Sequence, residues 1–303
     1  MKTKLTNAAL IVFITLMILL FSSCDEFNPL TAAGSGELKI YWVSSNGITG
    51  PTIQRSNLDG SGKDDLGITK DYSKVVVDKT NKRLYLVSTS TGSTNQLWYT
   101  DLEGQGLTAL LSSPSGNAIH DIAIDPLAGK MYFIEGNIGS LTIQRASLNG
   151  SGIEDITPTG YDGGPIGSQA IDIDPLEKKM YFVDSAAGSM VRRSNLDGSG
   201  VETFITHTDP IYDIAVDPWN QKIYGSADML TFVSNFLDPN NLSTILSYAV
   251  GDLAVDSTSG YIYFTYNDGL DQDIGRITPG MITYDRLVTG LSNPTGIFLD
   301  LWP

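Results

Sequence analysis

The hydrophobic pattern along the chain is one short phrase said six times. Two apolar residues flank a single position and are followed by aspartate, ending at Asp78, Asp125, Asp174, Asp217, Asp256 and Asp300. Seven residues after each of the first five aspartates stands a tyrosine: Tyr85, Tyr132, Tyr181, Tyr224 and Tyr263. Tyr41 has no upstream aspartate and Asp300 no downstream tyrosine. The period, about 44 residues, is long enough for four short strands. One unit predicts them at Ile122–Asp125, Met131–Ile134, Leu141–Ser147 and Ile153–Ile156. Turns separate them, at Asp125-Pro126 and at Asn149-Gly150-Ser151-Gly152. The second turn recurs as Asp59-Gly60-Ser61-Gly62 and Asp197-Gly198-Ser199-Gly200, with Glu103-Gly104-Gln105-Gly106 a looser copy. Glycine at fixed turn offsets supplies the positive φ that other residues adopt only at a cost.

A four-stranded unit of this size cannot bury both its faces alone, so the units must pack on one another around an axis. The expected fold is all-β: a six-bladed β-propeller of four-stranded antiparallel blades. The unmatched ends predict how the ring shuts. Gly296 to Leu301 would supply the innermost strand of the blade whose other strands begin at Leu38, which removes a free sheet edge.

The N-terminus departs from this pattern. Lys2 and Lys4 precede the apolar run Ala8 to Phe21, too short to span a bilayer comfortably and suited to a signal peptide. Ser22, Ser23 and then Cys24, the only cysteine, resemble a bacterial lipobox. That implies a signal peptide over 1–23, a lipidated Cys24 with a polar tether over 24–37, and a propeller over 38–303. It implies a cell-envelope location, with the membrane reached through the anchor. A plain signal peptide with an incidental cysteine is the alternative. The formal charge is −15, and −17 once Lys2 and Lys4 are gone. Such a surface repels nucleic acid and anionic lipid head groups, and suits cationic partners, metal ions or neutral glycans.

The repeat also resembles a known one. Ile214-Ala215-Val216-Asp217 and Leu253-Ala254-Val255-Asp256 carry its first element, and Tyr41-Trp42-Val43-Ser44 and Tyr181-Phe182-Val183-Asp184 its second. Ile53-Gln54-Arg55-Ser56-Asn57-Leu58-Asp59-Gly60, Ile143-Gln144-Arg145 and Val191-Arg192-Arg193 carry its third. Together they are similar to the class B (YWTD) repeat of the low-density lipoprotein receptor family, from about Leu38 to the C-terminus. No unit has a full YWTD, Tyr224-Gly225-Ser226 has lost the motif after its tyrosine, and cysteine-rich flanking modules are absent. The resemblance implies a protein-interaction platform; a monomer is the separate expectation for this chain. Function, however, belongs to sites and not to folds.

Topology narrows the search for a site. The first-to-second and third-to-fourth turns share one face and are uniform. The second-to-third and fourth-to-next connections share the other and vary widely, the usual placement for binding loops. Four positions before each repeat aspartate lie Lys74, Asp121, Ala170, Asp213, Asp252 and Gly296. Asp121, Asp213 and Asp252 would surround the channel mouth on the variable face, with Asp172 one alternation deeper. Converging carboxylates without matching cations raise one another's pKa or attract a hard cation such as Ca²⁺. Alternatively, each acid caps a neighbouring backbone amide or faces channel water. Tyr72, Tyr161, Tyr212 and Tyr266 stand near the same face, as do His120 and His207. The loop Asn267 to Asp273 is acidic without EF-hand spacing. The repeat aspartates are expected to hold their turns, and Arg55, Arg145, Arg193 and Arg276 to join blades.

The catalytic inventory is thin: two histidines, no HExxH and no Gly-x-Ser-x-Gly. The chain therefore points to binding of a protein, peptide or glycan through the variable face, with no cofactor. Two other classes stay open. One is a metal-dependent propeller enzyme of the lactonase or lyase kind, with Asp121, Asp213, Asp252 and His120 at the mouth. The other is a scaffold of an envelope complex working through its rim.

Overall fold

The computed structural model describes residues 38–45, 50–88, 95–112, 117–137, 139–163, 169–184, 189–228, 230–248, 250–278, 280–281 and 283–300. The expected signal peptide over 1–23, Cys24 and the expected tether over 24–37 lie outside them. Six four-stranded antiparallel sheets form the ring of a six-bladed β-propeller. The inner strands of blades 2 to 6 are Tyr72–Asp78, Ala118–Asp125, Ile171–Asp174, Ile211–Asp217 and Leu253–Val255. Blade 1 takes its inner strand, Thr295–Leu299, from the C-terminal end and its second, Lys39–Ser45, from the N-terminal end. Tyr41 pairs with Phe298 across that seam. The unpaired Tyr41 and Asp300 of the sequence are thereby joined, and Asp300 Oδ1 accepts the Lys39 amide at 2.6 Å.

The cores lie between blades. Met131 and Phe133 pack toward blade 2 with Val76, Tyr85 and Leu97. The alternate residues Tyr132 and Ile134 pack toward blade 4 with Ile171, Ile173 and Phe182. Because side chains alternate across a strand, a second strand buried on both faces must be apolar at every position. This explains unbroken runs such as Met-Tyr-Phe-Ile. Six such clusters occupy the six junctions, so no blade holds a core by itself and the ring folds as one unit. Among the described residues all the strands, and the closing pair, lie within 38–300.

The predicted strands of the third unit are longer in the structure, Ala118–Asp125, Lys130–Asn137 and Ser140–Ser147. Its outer strand shrinks to Glu154–Asp155. That strand borders solvent, and its shortness leaves little open edge for another chain to pair with. The Gly-Ser-Gly turns do more than reverse the chain. Gly198 has φ 81°, and a Cβ there would sit 1.9 Å from the Ile156 carbonyl oxygen of the preceding blade. The turn thus abuts its neighbour only because the residue is glycine.

Candidate functional site at the channel mouth

The site is built by a repeated distortion of the inner strands. In blades 2, 3 and 5 the pairing to the second strand shifts register between Tyr72 and Lys74, Ile119 and Asp121, and Ile211 and Asp213. A bulge re-aims the side chain that follows it. Here the re-aimed residues are Lys74, Asp121 and Asp213, and their side chains meet on the channel axis.

At the centre of the cluster is Lys74. Its Nζ lies 3.4 Å from Asp121 Oδ1, 3.4 Å from Asp213 Oδ1 and in contact with Asp252 Oδ1. One ammonium from blade 2 therefore ties together carboxylates from blades 3, 5 and 6. The expectation of carboxylates lacking a matching cation is corrected: Lys74, at the same register position, is that cation. Among the described residues no group of three His, Cys, Asp or Glu side chains is placed to hold a metal ion.

The second oxygens of these carboxylates are also used. Asp121 Oδ2 accepts the Ile171 amide at 2.9 Å, Asp213 Oδ2 the Leu253 amide at 2.6 Å, and Asp252 Oδ2 the Gly296 amide at 2.9 Å. Deeper in the channel, Asp172 Oδ2 accepts the Val216 amide at 2.7 Å. Each bond runs from one blade to the inner strand of the next. An inner strand turns one edge to the channel, so its N–H groups lack sheet partners, and an unpaired buried amide costs about 1–3 kcal/mol. Four of the six junctions are stapled this way. At the junction of blades 1 and 2 a staple is replaced by contact: a Cβ on Gly296 would lie 2.5 Å from the Ser73 carbonyl oxygen. The capping alternative thus holds for Asp121, Asp172, Asp213 and Asp252.

Electrostatics follow from burial. Loss of water raises the pKa of Asp121, and it raises Asp213 to about 8 and Asp172 to about 7 despite the amides and Lys74. Burial works against the Lys74 ammonium too, yet the three carboxylates outweigh it and hold its pKa well above the ordinary value. With Asp213 protonated near neutral pH, the cluster carries less negative charge than three ionised acids and one lysine would.

The cluster divides the channel. On the face of the first-to-second turns, a cavity of about 370 Å³ reaches down to Lys74, Asp121 and Asp213, with Pro126, Pro175 and Trp219 at its opening. On the variable face, a cavity of about 350 Å³ is lined by Ser73, Lys74, Ala118, Ile119, His120, Gln169, Tyr212 and Asp252. His120, Tyr212 and Asp252 were expected at this mouth. Lys74, Ser73 and Gln169 were not, although Lys74 was visible in the register of the repeat.

The remaining candidates separate. His120 Nε2 contacts the Gly136 carbonyl and His207 Nδ1 the Asp209 backbone, so the two histidines do not form a pair. Tyr212 donates to Asp228 and Tyr266 to Asp268 at the surface. Tyr72 is buried, and Tyr161 packs edge-on against Phe182. The acidic loop is a turn held by Asp268 Oδ1, which accepts the Leu270 and Asp271 amides, and Arg286 pairs with Asp271 and Asp273. Asp78, Asp125, Asp174, Asp217 and Asp256 each accept amides of the turn that follows. Every repeat arginine pairs within its own blade, with Asp64, Glu154, Glu202 or Asp285. Arg55 also ion-pairs with Glu103 of the next blade at 2.6 Å and donates to the Leu102 carbonyl, and Arg145 donates to the Leu196 carbonyl of its next blade, so these two join blades as expected.

Comparison with protein-family models and with curated proteins finds no match. Solved structures share the fold. A chain of the nidogen/laminin complex superposes with a TM-score of 0.70 at 13% identity, over 88% of this chain and 99% of that one. TolB from Acinetobacter baumannii gives 0.73 at 12%, over 86% and 66%. The GH74 enzyme from Niastella koreensis gives 0.57 at 14%, over 72% and 37%, so the chain spans just over a third of that protein. The likeness is one of architecture.

Proposed function

We propose that this chain is a non-catalytic recognition module of the cell envelope. In this reading Cys24 carries the lipid anchor, and the variable face binds a protein, peptide or glycan. The observation that carries it is the commitment of every charged group at the channel mouth. Asp121, Asp213 and Asp252 are divided between Lys74 and the amides of the next blade. A general acid or base must reach a substrate proton, and these carboxylates are spent on the ring itself. What the mouth offers outward is a shallow cavity bordered by Ser73, His120, Gln169 and Tyr212. Around it lie Asp71, Asp162, Asp228 and Asp268, all exposed, which favours a ligand with cationic groups. The nidogen/laminin complex, in which a chain of this fold is found with another protein, supports protein recognition.

The test is recovery of a binding partner from an envelope extract on the immobilised propeller, with a His120→Ala/Tyr212→Ala double variant alongside. At unchanged melting temperature the double variant should lose at least tenfold in recovery. Equal recovery would refute the variable-face site, and loss only on rim substitutions would favour the scaffold reading. The anchor is tested separately: acyl labelling of the chain should disappear in Cys24→Ala.

A further inference from the structure

We propose that the half of the channel entered from the first-to-second turns binds a small organic ammonium, its apolar chain along the inner strands and its charge on Asp172. This site lies beyond the ion cluster from the variable face and does not rest on a ligand there.

The cavity has the form of a pocket with one polar end. Its volume, about 370 Å³, falls at the lower end of the roughly 300–1,000 Å³ usual for small-molecule sites. Inner strands of all six blades wall it. Ile124, Val255 and Phe298 line it and are only half-buried, so apolar surface is left open to the channel. Pro126, Pro175 and Trp219 frame the opening, and the Lys74 cluster closes the floor.

Near that floor is a carboxylate without a counter-ion. Asp172 lines the cavity and is half-buried. Its Oδ2 accepts the Val216 amide at 2.7 Å and its Oδ1 the Ile173 amide at 2.8 Å. Among the described residues no cation pairs with it, because the one ammonium nearby is shared by Asp121, Asp213 and Asp252. A carboxylate has about four lone-pair sites, so Asp172 keeps acceptor capacity toward the channel. Burial lifts its pKa to about 7, which leaves it divided between two forms at neutral pH. A bound ammonium would settle it as the anion.

The walls decide what kind of cation fits. A hard metal ion takes about six to eight oxygen ligands, which one carboxylate among apolar side chains does not supply. An ammonium on a hydrocarbon chain matches both ends of the cavity. Asp172 lies three residues along the chain from Pro175 at the opening, roughly 10 Å of strand. The four-carbon stem of a protein lysine is shorter than that, which favours a free amine over a partner's side chain. The turns around the opening carry Lys79, Lys82 and Lys178 against Glu177, so the cation is selected at the floor and not at the rim.

The test is isothermal titration of the full chain with n-hexylamine. At pH 8 it should saturate one site, and n-hexanol should bind at least tenfold more weakly. Each methylene removed between hexylamine and butylamine should cost roughly three- to fourfold in affinity. Affinity should fall roughly tenfold from pH 8 to pH 6 as Asp172 takes up its proton. Asp121 and Asp213, which face it in the channel, protonate in the same direction, and Lys74 stays charged throughout. Asp172→Asn keeps the side-chain shape and should lose at least tenfold; should it not fold, the pH and hexanol results on the native chain decide. No saturable heat at two temperatures, equal affinity for hexanol, or unchanged binding in Asp172→Asn overturns the proposal and leaves the cavity to water. Nα-acetyl-lysine methylamide should bind at least tenfold more weakly than hexylamine. Equal binding would overturn the free amine in favour of a partner's lysine.

Discussion

Replacing Lys74 with methionine should expose how the channel is held. The substitution keeps the length of the side chain and removes only the charge. It leaves Asp121, Asp213 and Asp252 facing one another at side-chain exposures of 7%, 8% and 17%. Removing one partner of a buried ion pair costs about 3–5 kcal/mol, because the charge left behind is neither solvated nor paired. For a domain of this size each kcal/mol moves the melting temperature by roughly 2–4 °C, so a drop of roughly 6–10 °C is the lower expectation at pH 8.5. The deficit should shrink at pH 5. There Asp213, whose pKa burial lifts to about 8, binds a proton and no longer needs the ammonium. The assay is thermal unfolding followed by circular dichroism at both pH values.

The same variant examines the cation question directly. With the ammonium gone, carboxylate oxygens that converge on one point become a vacant cage for a hard cation. Calcium should therefore stabilise Lys74→Met and leave the native protein unchanged. A saturating excess of 100 times the dissociation constant corresponds to about 2.7 kcal/mol. If Lys74→Met melts with the native protein at pH 8.5, the ion cluster contributes nothing and the argument fails. If calcium stabilises the native protein as strongly as the variant, Lys74 does not occupy the cation's place and a metal-gated site returns.

Other expectations follow from the same geometry. Asp213, Asp172 and Asp300 have folded pKa values of about 8, about 7 and about 6, each raised first by burial. The unfolded value is near 3.9, so the folded state binds more protons and stability falls as pH rises from about 4 to 8. Denaturant titrations should show the loss, and Asp213→Asn, neutral at every pH, should flatten the slope; an unchanged slope would contradict the assignment. Gly198→Ala should cost at least about 2 kcal/mol, from positive φ and from collision with the Ile156 carbonyl, read as a shift in the urea midpoint. Asp217→Ala should cost about 1–3 kcal/mol by stranding the Asn220 amide and side chain. Glu202→Gln, at a carboxylate 52% exposed, should move the midpoint by less than about 1 kcal/mol.

The architecture was legible because it repeats. The seven-residue step from aspartate to tyrosine marks the hairpin of a blade, and the orphaned Tyr41 and Asp300 mark its closure. The staples were harder to see. Asp121, Asp213 and Asp252 occupy one register position, but a carboxylate four residues before a turn does not announce whether it faces a ligand or the next strand's amides. The bulges at Lys74, Asp121 and Asp213 decide that, and they depend on pairing with a second strand. The repeat arginines were read correctly at Arg55 and Arg145, which join blades, and missed at Arg193 and Arg276 for a related reason. Arg193 and Glu202 face each other across a hairpin, a local pairing that inter-blade packing overshadowed. At Tyr224 the broken motif has a packing cause: a Cβ on Gly225 would meet the Phe232 ring at 2.2 Å, so that ring takes the volume the missing side chain would fill.

The uneven distribution of the staples points to a last step. If every inner strand carried a carboxylate at the mouth, six buried acids would face one another, and no single lysine would offset their desolvation. The chain instead places acids at three mouth positions, drops a fourth, Asp172, one alternation deeper, and uses Ala170 and Gly296 where charge would be surplus. Lys74 supplies the one cation. A ring of six similar blades is thus given a distinct order, because each staple fits a particular neighbour: Asp252 needs the close backbone of Gly296, and Lys74 needs the acids opposite it. Buried polar groups add little net stability when fully paired, but they penalise any arrangement that leaves them unpaired. On this argument the cluster specifies that the ring closes at six blades with blade 1 completed by Thr295–Leu299.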